Sequence, residues 1–587
     1  MSSSQIHNIA HHLIHRASIH PHGLAVSCAL GSNRQGRRLY THLTFEQLNR
    51  ESARVALGMH QKGFKPGMKA LVMVKPGPDL FVLTFALFKA GIAPVLIDPG
   101  MQKSSLKQCI AQAEPQIFIG IPLAHWARRI LGWGKKSVQY LVSTQKIWGV
   151  DTCLADLKEA GAQAKDDYIY DGHAEDLAAV LFTSGSTGTP KGAQYRHGHF
   201  VAQVDLLQKT YQFTVGDIDI PTFPLFALFD PALGMSAVFP QMDFSAPLKA
   251  NPQEIFAVMN DFGARNLFCS PALLKKLSHA VEEETSQYAD QGRQALSTLK
   301  RVISAGAPVS PHAMRTLKRY MHEEGEIYTP YGATESLPIC SISCTEIWQT
   351  GMIGQQQGHG VCVGRLVEGV HITTIPITHT PFHDWGEIKQ AKQKATRTQF
   401  PLINGYQVGE IVVYAPSTTQ KYLNHVVGDT GSKILGAPPQ VVVLPGQSHS
   451  HRMGDVGYMD DQGYVWLCGR KSHCVITADE HIYLPLCVEG IFNQTAGVKR
   501  CALAQFEQQP VLCVEVADAS NTDWMSIVQA LQEQGQKFAM TQSIQHFIPH
   551  PSFPVDTRHN AKIKREKLSQ WLKKVHKKIT HTKTLLT

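Results

Sequence analysis

Apolar residues in this chain fall in short runs separated by longer amphipathic stretches. The run "KALVMV" is followed by the turn "KPGPD" and then by the apolar stretch "LFVLTFALFKAGIAPVLI" at 80–97. Lys89, Gly91 and Pro94 interrupt that stretch, which predicts a helix ending near "KAG" and a short strand "APVLI" rather than a membrane span. The helical "SSLKQCIAQA" and the strand-like "PQIFIG" come next, and the same rhythm returns through "ARNLFCS", "PALLKKLSHAV" and "LKRVISAG". Short apolar strands alternating with helices predict an α/β architecture with largely parallel pairing. Two segments break the rhythm: 378–405 lacks clear periodicity, and 425–452 is rich in glycine, proline and serine. Both read as surface loops or insertions. After "GYVWLCGRKSH" the character changes again, which predicts a linker near 469–473 between a unit spanning 1–470 and a smaller one spanning 471–587.

A chain of 587 residues is too long for one hydrophobic core, so at least two domains are expected. Hydrophobic content of 43% and charged content of 18% describe an ordinary soluble globular protein. The formal charge of +9 permits an anionic substrate or an anionic membrane surface without demanding either, and nothing in the pattern points to nucleic acid. Twelve cysteines with no C-x-x-C pair read as reduced thiols, and the N-terminus lacks a basic segment followed by an apolar one. Together these predict a cytoplasmic location. No H-E-x-x-H occurs, which argues against a histidine metal site.

The densest chemistry lies directly after the apolar "LAAVLF". The segment "TSGSTGTPKG" supplies Thr183, Ser184, Gly185, Ser186, Thr187, Gly188 and Lys191. Small residues let backbone N–H groups close around an anion, hydroxyls donate further bonds, and a lysine adds a point charge. It is not a Walker loop, because Gly192 stands where G-K-[ST] requires a hydroxyl. The spacing resembles the phosphate loop of the adenylate-forming superfamily, which includes acyl-CoA synthetases, luciferases and peptide-synthetase adenylation domains. "SAGAPVS", "YGATES", "HRMGDVGY" and "FPVDTRHNAKIKREKL" follow in the superfamily's order.

The resemblance implies a large multi-sheet N-terminal domain of α/β class, a small mobile α+β C-terminal domain, and ATP with Mg²⁺ as cofactors. It implies that Gly306, Ala307, Pro308, Tyr331 and Gly332 lie on the adenine side and that Thr334 bonds the α-phosphate. Glu335 would hold Mg²⁺, Asp455 and Arg470 would meet the ribose, and Ser472 would be the hinge. Lys562 would bridge the substrate carboxylate and the α-phosphate. Within the superfamily, "QYRHGHFVAQVDLL", "PTFPLFALFDPALGM", "CGRKSH" and "VDTRHNAKI" resemble the bacterial β-lactone synthetases of long-chain olefin biosynthesis. Ala227 and Ala561 stand where acyl-CoA synthetases usually carry histidine and glycine. That resemblance implies a long-chain 2-alkyl-3-hydroxy fatty acid as substrate and assembly with other pathway enzymes. A long-chain fatty acyl-CoA ligase or fatty acyl-AMP ligase is the alternative.

Three features keep two readings each. Asp230 is either a base for ring closure or, as the commoner case, a helix cap preceding Pro231. Phe223, Phe226 and Phe229 either line an acyl pocket or pack the core. At the C-terminus Leu568, Trp571, Leu572, Val575 and Ile579 form one helical stripe opposite a basic face. It either packs on its own domain or meets a partner enzyme or an anionic membrane.

Overall fold

The computed structural model describes residues 7–97, 101, 103–150, 152–183, 190–283, 288–444, 446–517, 523–555 and 563–584. Two large sheets organise the first 470 residues. One has seven strands in the order Thr152–Cys153, Tyr140–Ser143, Ile117–Gly120, Lys69–Met73, Ala93–Leu96, Leu177–Thr183 and Lys191–Arg196. All its pairings are parallel except the last, the hairpin of Leu177–Thr183 with Lys191–Arg196. Its central strands are buried on both faces, as short runs of β-branched and apolar residues demand. The expected helix and strand in 80–97 are present as Pro78–Lys89 and Ala93–Leu96.

The other large sheet has fourteen strands among the described residues. Its parallel half joins Ile218–Pro221, Asn266–Cys269, Arg301–Ser304 and Glu326–Ala333, with helices such as Pro271–Glu282 and Pro311–Tyr320 between the strands. Its antiparallel half continues through Ser336–Ser343, Val361–Leu366, Tyr464–Arg470, His449–Met459 and Gly409–Tyr414.

Beyond Arg470 a short hairpin, the helices Pro485–Phe492 and Trp524–Gln536, and a three-stranded sheet form a small α+β unit. The C-terminal helix Arg565–Thr584 seats Leu568 and Leu572 in one cluster with Ala502, Val511 and Cys513 of that sheet and with Phe553 beyond its last strand, with Trp571 beside them. The apolar stripe is therefore consumed by its own unit over these residues. This is the packing reading, and it removes them as a membrane-facing surface.

Both segments expected to be surface loops or insertions contain ordered elements. Within 378–405 lie the helix Trp385–Lys394, capped by Asp384 through Gly386 and Glu387, and the strand Leu402–Ile403, which pairs with Tyr406–Gln407 just beyond. Within 425–452 lie the helix Val426–Ser432, the strand Lys433–Leu435, and the start of His449–Met459. The physical reason is long-range pairing. Arg452 and Glu410 are both buried and paired at 2.6 Å, and Arg452 also donates to the carbonyls of Thr378 and Thr380. A buried guanidinium that donates to Glu410, Thr378 and Thr380 ties both segments to the sheet edge, a contact that local periodicity cannot report.

Asp230 also departs from its expected role as a cap. The short helix Asp230–Leu233 begins at Asp230 itself, and no side chain caps it. The carboxyl is instead buried against that of Asp219, on strand Ile218–Pro221, and its Oδ2 has no hydrogen-bond partner. Burial and the adjoining acid hold Asp230 well above the ordinary carboxylate range, and burial pushes Asp219 up to about 7. Two such carboxyls share a proton rather than ionise together. Because the folded-state values are raised, this contribution to stability is complete below about pH 4 and is lost as pH rises through about 7. An Asp230→Asn variant is expected to raise the thermal midpoint by a few degrees at about pH 8 and to have little effect at about pH 4. Thermal unfolding across that range checks this, and parallel curves for the two proteins would refute it.

Candidate functional site

The glycine-rich segment is carried on a hairpin. Thr183 ends the strand Leu177–Thr183 and stands opposite Lys191 in register, while Val180 pairs with Val95 in the parallel part of the sheet. The segment thus starts from the C-terminal end of a parallel strand, where α/β sheets bind ligands. Ser184, Gly185, Ser186, Thr187 and Gly188 lie outside the described residues, as do Ala561 and Lys562, and nothing is described of the Thr183 side chain. Gly192 has no room for a side chain: an added Cβ would lie 2.9 Å from the Phe182 ring.

Tyr331, Asp455 and Arg470 converge from three strands. The Tyr331 hydroxyl donates to Asp455 Oδ2 at 2.7 Å, although the two are 124 residues apart. Arg470 Nε reaches Asp455 Oδ1 at 3.0 Å, and its Nη1 donates to the Met453 carbonyl. Asp455 and Arg470 are direct cross-strand partners, which fixes that pairing through the sheet register. Burial, reinforced by the Asp455 charge, holds the Tyr331 phenol well above its ordinary value, so it stays a donor. Gly332 follows where an added Cβ would meet Ser336 O and Leu337 Cβ at 2.8 Å. Gly306, Ala307 and Pro308 leave the sheet just after Arg301–Ser304, a parallel neighbour of Glu326–Ala333, so they emerge at the same edge as Tyr331. Gly306 has φ +97°, a conformation that favours glycine.

Thr334 and Glu335 form the turn between Glu326–Ala333 and Ser336–Ser343. Glu335 is buried and held from two directions. Tyr422 donates its hydroxyl to Oε1 at 2.6 Å, and Thr419 donates its N–H and hydroxyl to the Glu335 carbonyl at 2.8 and 3.2 Å. Tyr195 donates to the Thr334 carbonyl. The Tyr422 ring lies 5.3 Å from Lys191 Nζ and 5.1 Å from Lys433 Nζ, within cation–π range of both. Lys433 is buried and donates to the Thr419 carbonyl and, at 3.2 Å, to its hydroxyl. Burial lowers Lys433 to about 8, against the opposing pull of Glu335 and Asp429. Burial and the nearby Lys433 and Lys191 hold His451 well below the ordinary imidazole range. Sequence reasoning did not find Thr419, Tyr422 or Lys433. The only signal was indirect: a buried acid such as Glu335 must have donors somewhere in the chain.

The donor set suits a hard divalent cation shared with phosphates. Among the described residues no cluster of three histidine, cysteine or acidic side chains could hold a metal by itself. A single buried carboxylate, with Tyr422 engaging one oxygen, matches a cation that takes most of its oxygens from phosphate and water.

Around Ala227, which is buried, the three phenylalanines divide. Phe226 stacks on Phe268 with centroids 4.4 Å apart and Phe229 packs edge-on against Phe200, whereas Phe223 remains 37% exposed. Ser472 is exposed at the centre of the single 3₁₀ turn Lys471–His473. Before it, Lys471 donates to Glu410 Oε2 and the Thr378 carbonyl, both at 2.9 Å. After it, His473 faces Glu566 of the C-terminal helix at 3.8 Å.

Comparison with known proteins agrees with this geometry. The family model described as AMP-binding enzyme matches residues 15–423. The chain is 40% identical over 573 residues to the olefin β-lactone synthetase of Stenotrophomonas maltophilia, covering 96% of this chain and 98% of that protein. It is 40% identical over 575 residues to the protein of the same name from Xanthomonas campestris pv. campestris, covering 96% and 97%. Among solved structures it resembles the amide bond synthetase McbA from Marinactinospora thermotolerans, with TM-score 0.71 and 19% identity over 96% of this chain and 99% of that one. ATP-bound MatB from Rhodopseudomonas palustris gives TM-score 0.70 at 19% identity, covering 97% and 100%. The match over most of its length and the shared two-unit architecture place this chain in the family of AMP-binding, adenylate-forming enzymes.

Proposed function

We propose that this enzyme uses ATP to activate a long-chain 2-alkyl-3-hydroxy fatty acid and then closes it to a β-lactone, releasing pyrophosphate and AMP. The observation that carries this reading is the 40% identity, over nearly the whole of both chains, with two olefin β-lactone synthetases. The reaction follows from the chemistry of the acid. Adenylation exchanges a poor leaving group for a good one. The β-hydroxyl then attacks the activated carbonyl within the same molecule, forming the ring C–O bond as the bond to AMP breaks and the hydroxyl proton leaves. No second acceptor has to be captured, so the cost of bringing two molecules together is avoided.

In this reading Asp455 accepts hydrogen bonds from the ribose, oriented by Tyr331 and Arg470. Gly306, Ala307, Pro308 and Gly332 give the adenine a close approach to backbone. Ser184, Gly185, Ser186, Thr187 and Gly188, with Thr183 and Lys191, receive the phosphates, and Thr334 bonds the α-phosphate. Glu335 holds Mg²⁺, which when bound neutralises phosphate charge. Tyr422 holds the orientation of the Glu335 carboxylate through its hydroxyl. Lys562 neutralises charge between the carboxylate and the α-phosphate as pyrophosphate leaves. The units divide at 1–470 and 471–587, with rotation at Ser472. The paired Lys471 and His473 on either side of that exposed serine support a pivot confined to one turn.

Incubation of the purified protein with Mg-ATP and a racemic 2-alkyl-3-hydroxy acid, without CoA, is expected to give AMP and β-lactone in equal amounts, followed by AMP release and NMR. Turnover that begins only on addition of CoA and yields a thioester would replace this reading with an acyl-CoA ligase. Lys562→Ala is expected to lower the rate of acid-dependent pyrophosphate release about 10²–10³-fold. Full turnover in that variant would remove Lys562 from the adenylation step. Tyr422→Phe is expected to raise the Mg²⁺ concentration for half-maximal rate about tenfold, the value of one lost hydrogen bond to a charged group. The KM for the acid should stay constant, and an unchanged Mg²⁺ titration would exclude Tyr422 as the residue that positions Glu335.

A further inference from the structure

The helix Pro122–Leu131 is built inside out. Its inward positions are polar or small: His125 is buried and bonds the Val142 carbonyl through Nε2 at 3.0 Å, the Arg128 guanidinium lies 5.6 Å from the Phe118 ring, and Ala124 packs on the cluster that holds Phe118. Its outward positions are apolar: Leu123 is 72% exposed, Trp126 55% and Ile130 80%. These three recur at helical spacing and form one face. Leu131 and Trp148 extend it at 42% and 82% exposure, and the Arg129 guanidinium lies 5.5 Å from the Trp148 ring. A surface helix normally turns this stripe inward, and contiguous apolar surface of this kind marks a site of contact.

The charge around the face selects its partner. Besides the inward Arg128, residues 115–150 contain Arg129, Lys135, Lys136 and Lys146 and no aspartate or glutamate. Asp156 lies within electrostatic reach of Lys146, but Lys62 acts on it as well. A second copy of this chain would set cation against cation on this face. An anionic bilayer satisfies both components: leucine, isoleucine and tryptophan enter the boundary between headgroups and acyl chains, and arginine and lysine meet the phosphates.

We propose that Pro122–Leu131, together with Trp148 and the flanking basic residues, docks the enzyme on anionic lipid bilayers. Contact is peripheral, since no helix among the described residues is long and apolar enough to cross a membrane. The surface is distinct from the basic C-terminal helix, whose apolar residues Leu568 and Leu572 are already packed. The proposal goes beyond the assigned reaction and does not depend on it, because docking is read without turnover.

The test uses the full-length enzyme and sedimentation with vesicles. One set is pure phosphatidylcholine and the other equimolar phosphatidylcholine and phosphatidylglycerol. Binding is expected to the anionic vesicles only, and to weaken with salt. The variants L123S/W126S/I130S and R129E/K135E/K136E alter exposed side chains and are each expected to lower the bound fraction at least tenfold. Both should keep the wild-type thermal midpoint and the wild-type far-ultraviolet circular dichroism. No vesicle binding by the wild type, or equal binding by all three proteins, would overturn the proposal. So would a dimer of the wild type in light scattering that the serine variant alone abolishes, since the face would then join two copies of the chain.

Discussion

The site depends on the carboxylate of Asp455 and its two donors. One oxygen takes the Tyr331 hydroxyl and the other takes Arg470, so strands far apart in sequence are joined at one point. Arg470 is also the last residue before the turn that leads to the small unit. The group assigned to the nucleotide ribose is thereby tied to the start of the assigned pivot. Ion pairs, exposed or buried, add little net stability in general because solvent screening or desolvation offsets their attraction, and this pair is half-buried on the Arg470 side. The value of this one lies in registration: it fixes where the antiparallel half of the sheet meets the Tyr331 turn.

A second buried carboxylate, Glu410, secures the same region from behind. It accepts from both Arg452 and Lys471, and those cations also take carbonyls of the 378–380 segment. Asp455 and Arg452 lie three residues apart on one strand, and Lys471 follows Arg470 directly. The two carboxylates therefore hold the two ends of one short stretch of sheet. If the small unit rotates, the rotation begins after Lys471, because Arg452, Arg470 and Lys471 are already committed to partners before that residue.

The parts of the fold that were legible in the sequence are those set by local rules. Short apolar runs became parallel strands, and proline and glycine marked the helix ends in 78–96 correctly. The residues of the site were legible as an ordered series of motifs, and the structure places Tyr331, Asp455 and Arg470 in direct contact. What stayed illegible was set by distant partners. Asp230 had the local signature of a cap, but Asp219 is its neighbour, and a contact between side chains from separate elements leaves no local pattern. The segment 425–452 looked like a loop because it is rich in glycine, proline and serine, yet it delivers Lys433 to the Tyr422 ring. The helix Pro122–Leu131 was silent for a different reason. Its amphipathic pattern is regular, but periodicity gives the existence of an apolar face and not the direction in which it points.

That direction has a geometric consequence for the site. Pro122–Leu131 follows the strand Ile117–Gly120 in the same seven-stranded sheet that carries the glycine-rich hairpin. Lys69–Met73 and Ala93–Leu96 lie between that strand and Leu177–Thr183, a separation of roughly 14 Å at the usual strand spacing. A surface held at this helix is therefore displaced from the hairpin while remaining connected to it through rigid, hydrogen-bonded backbone. An amphiphilic acid with a long chain partitions into lipid rather than water. An enzyme that acts on such an acid has to combine an aqueous nucleotide site with access to an apolar phase, and one sheet with the hairpin toward one edge and the outward apolar helix toward the other meets both requirements without a spanning segment.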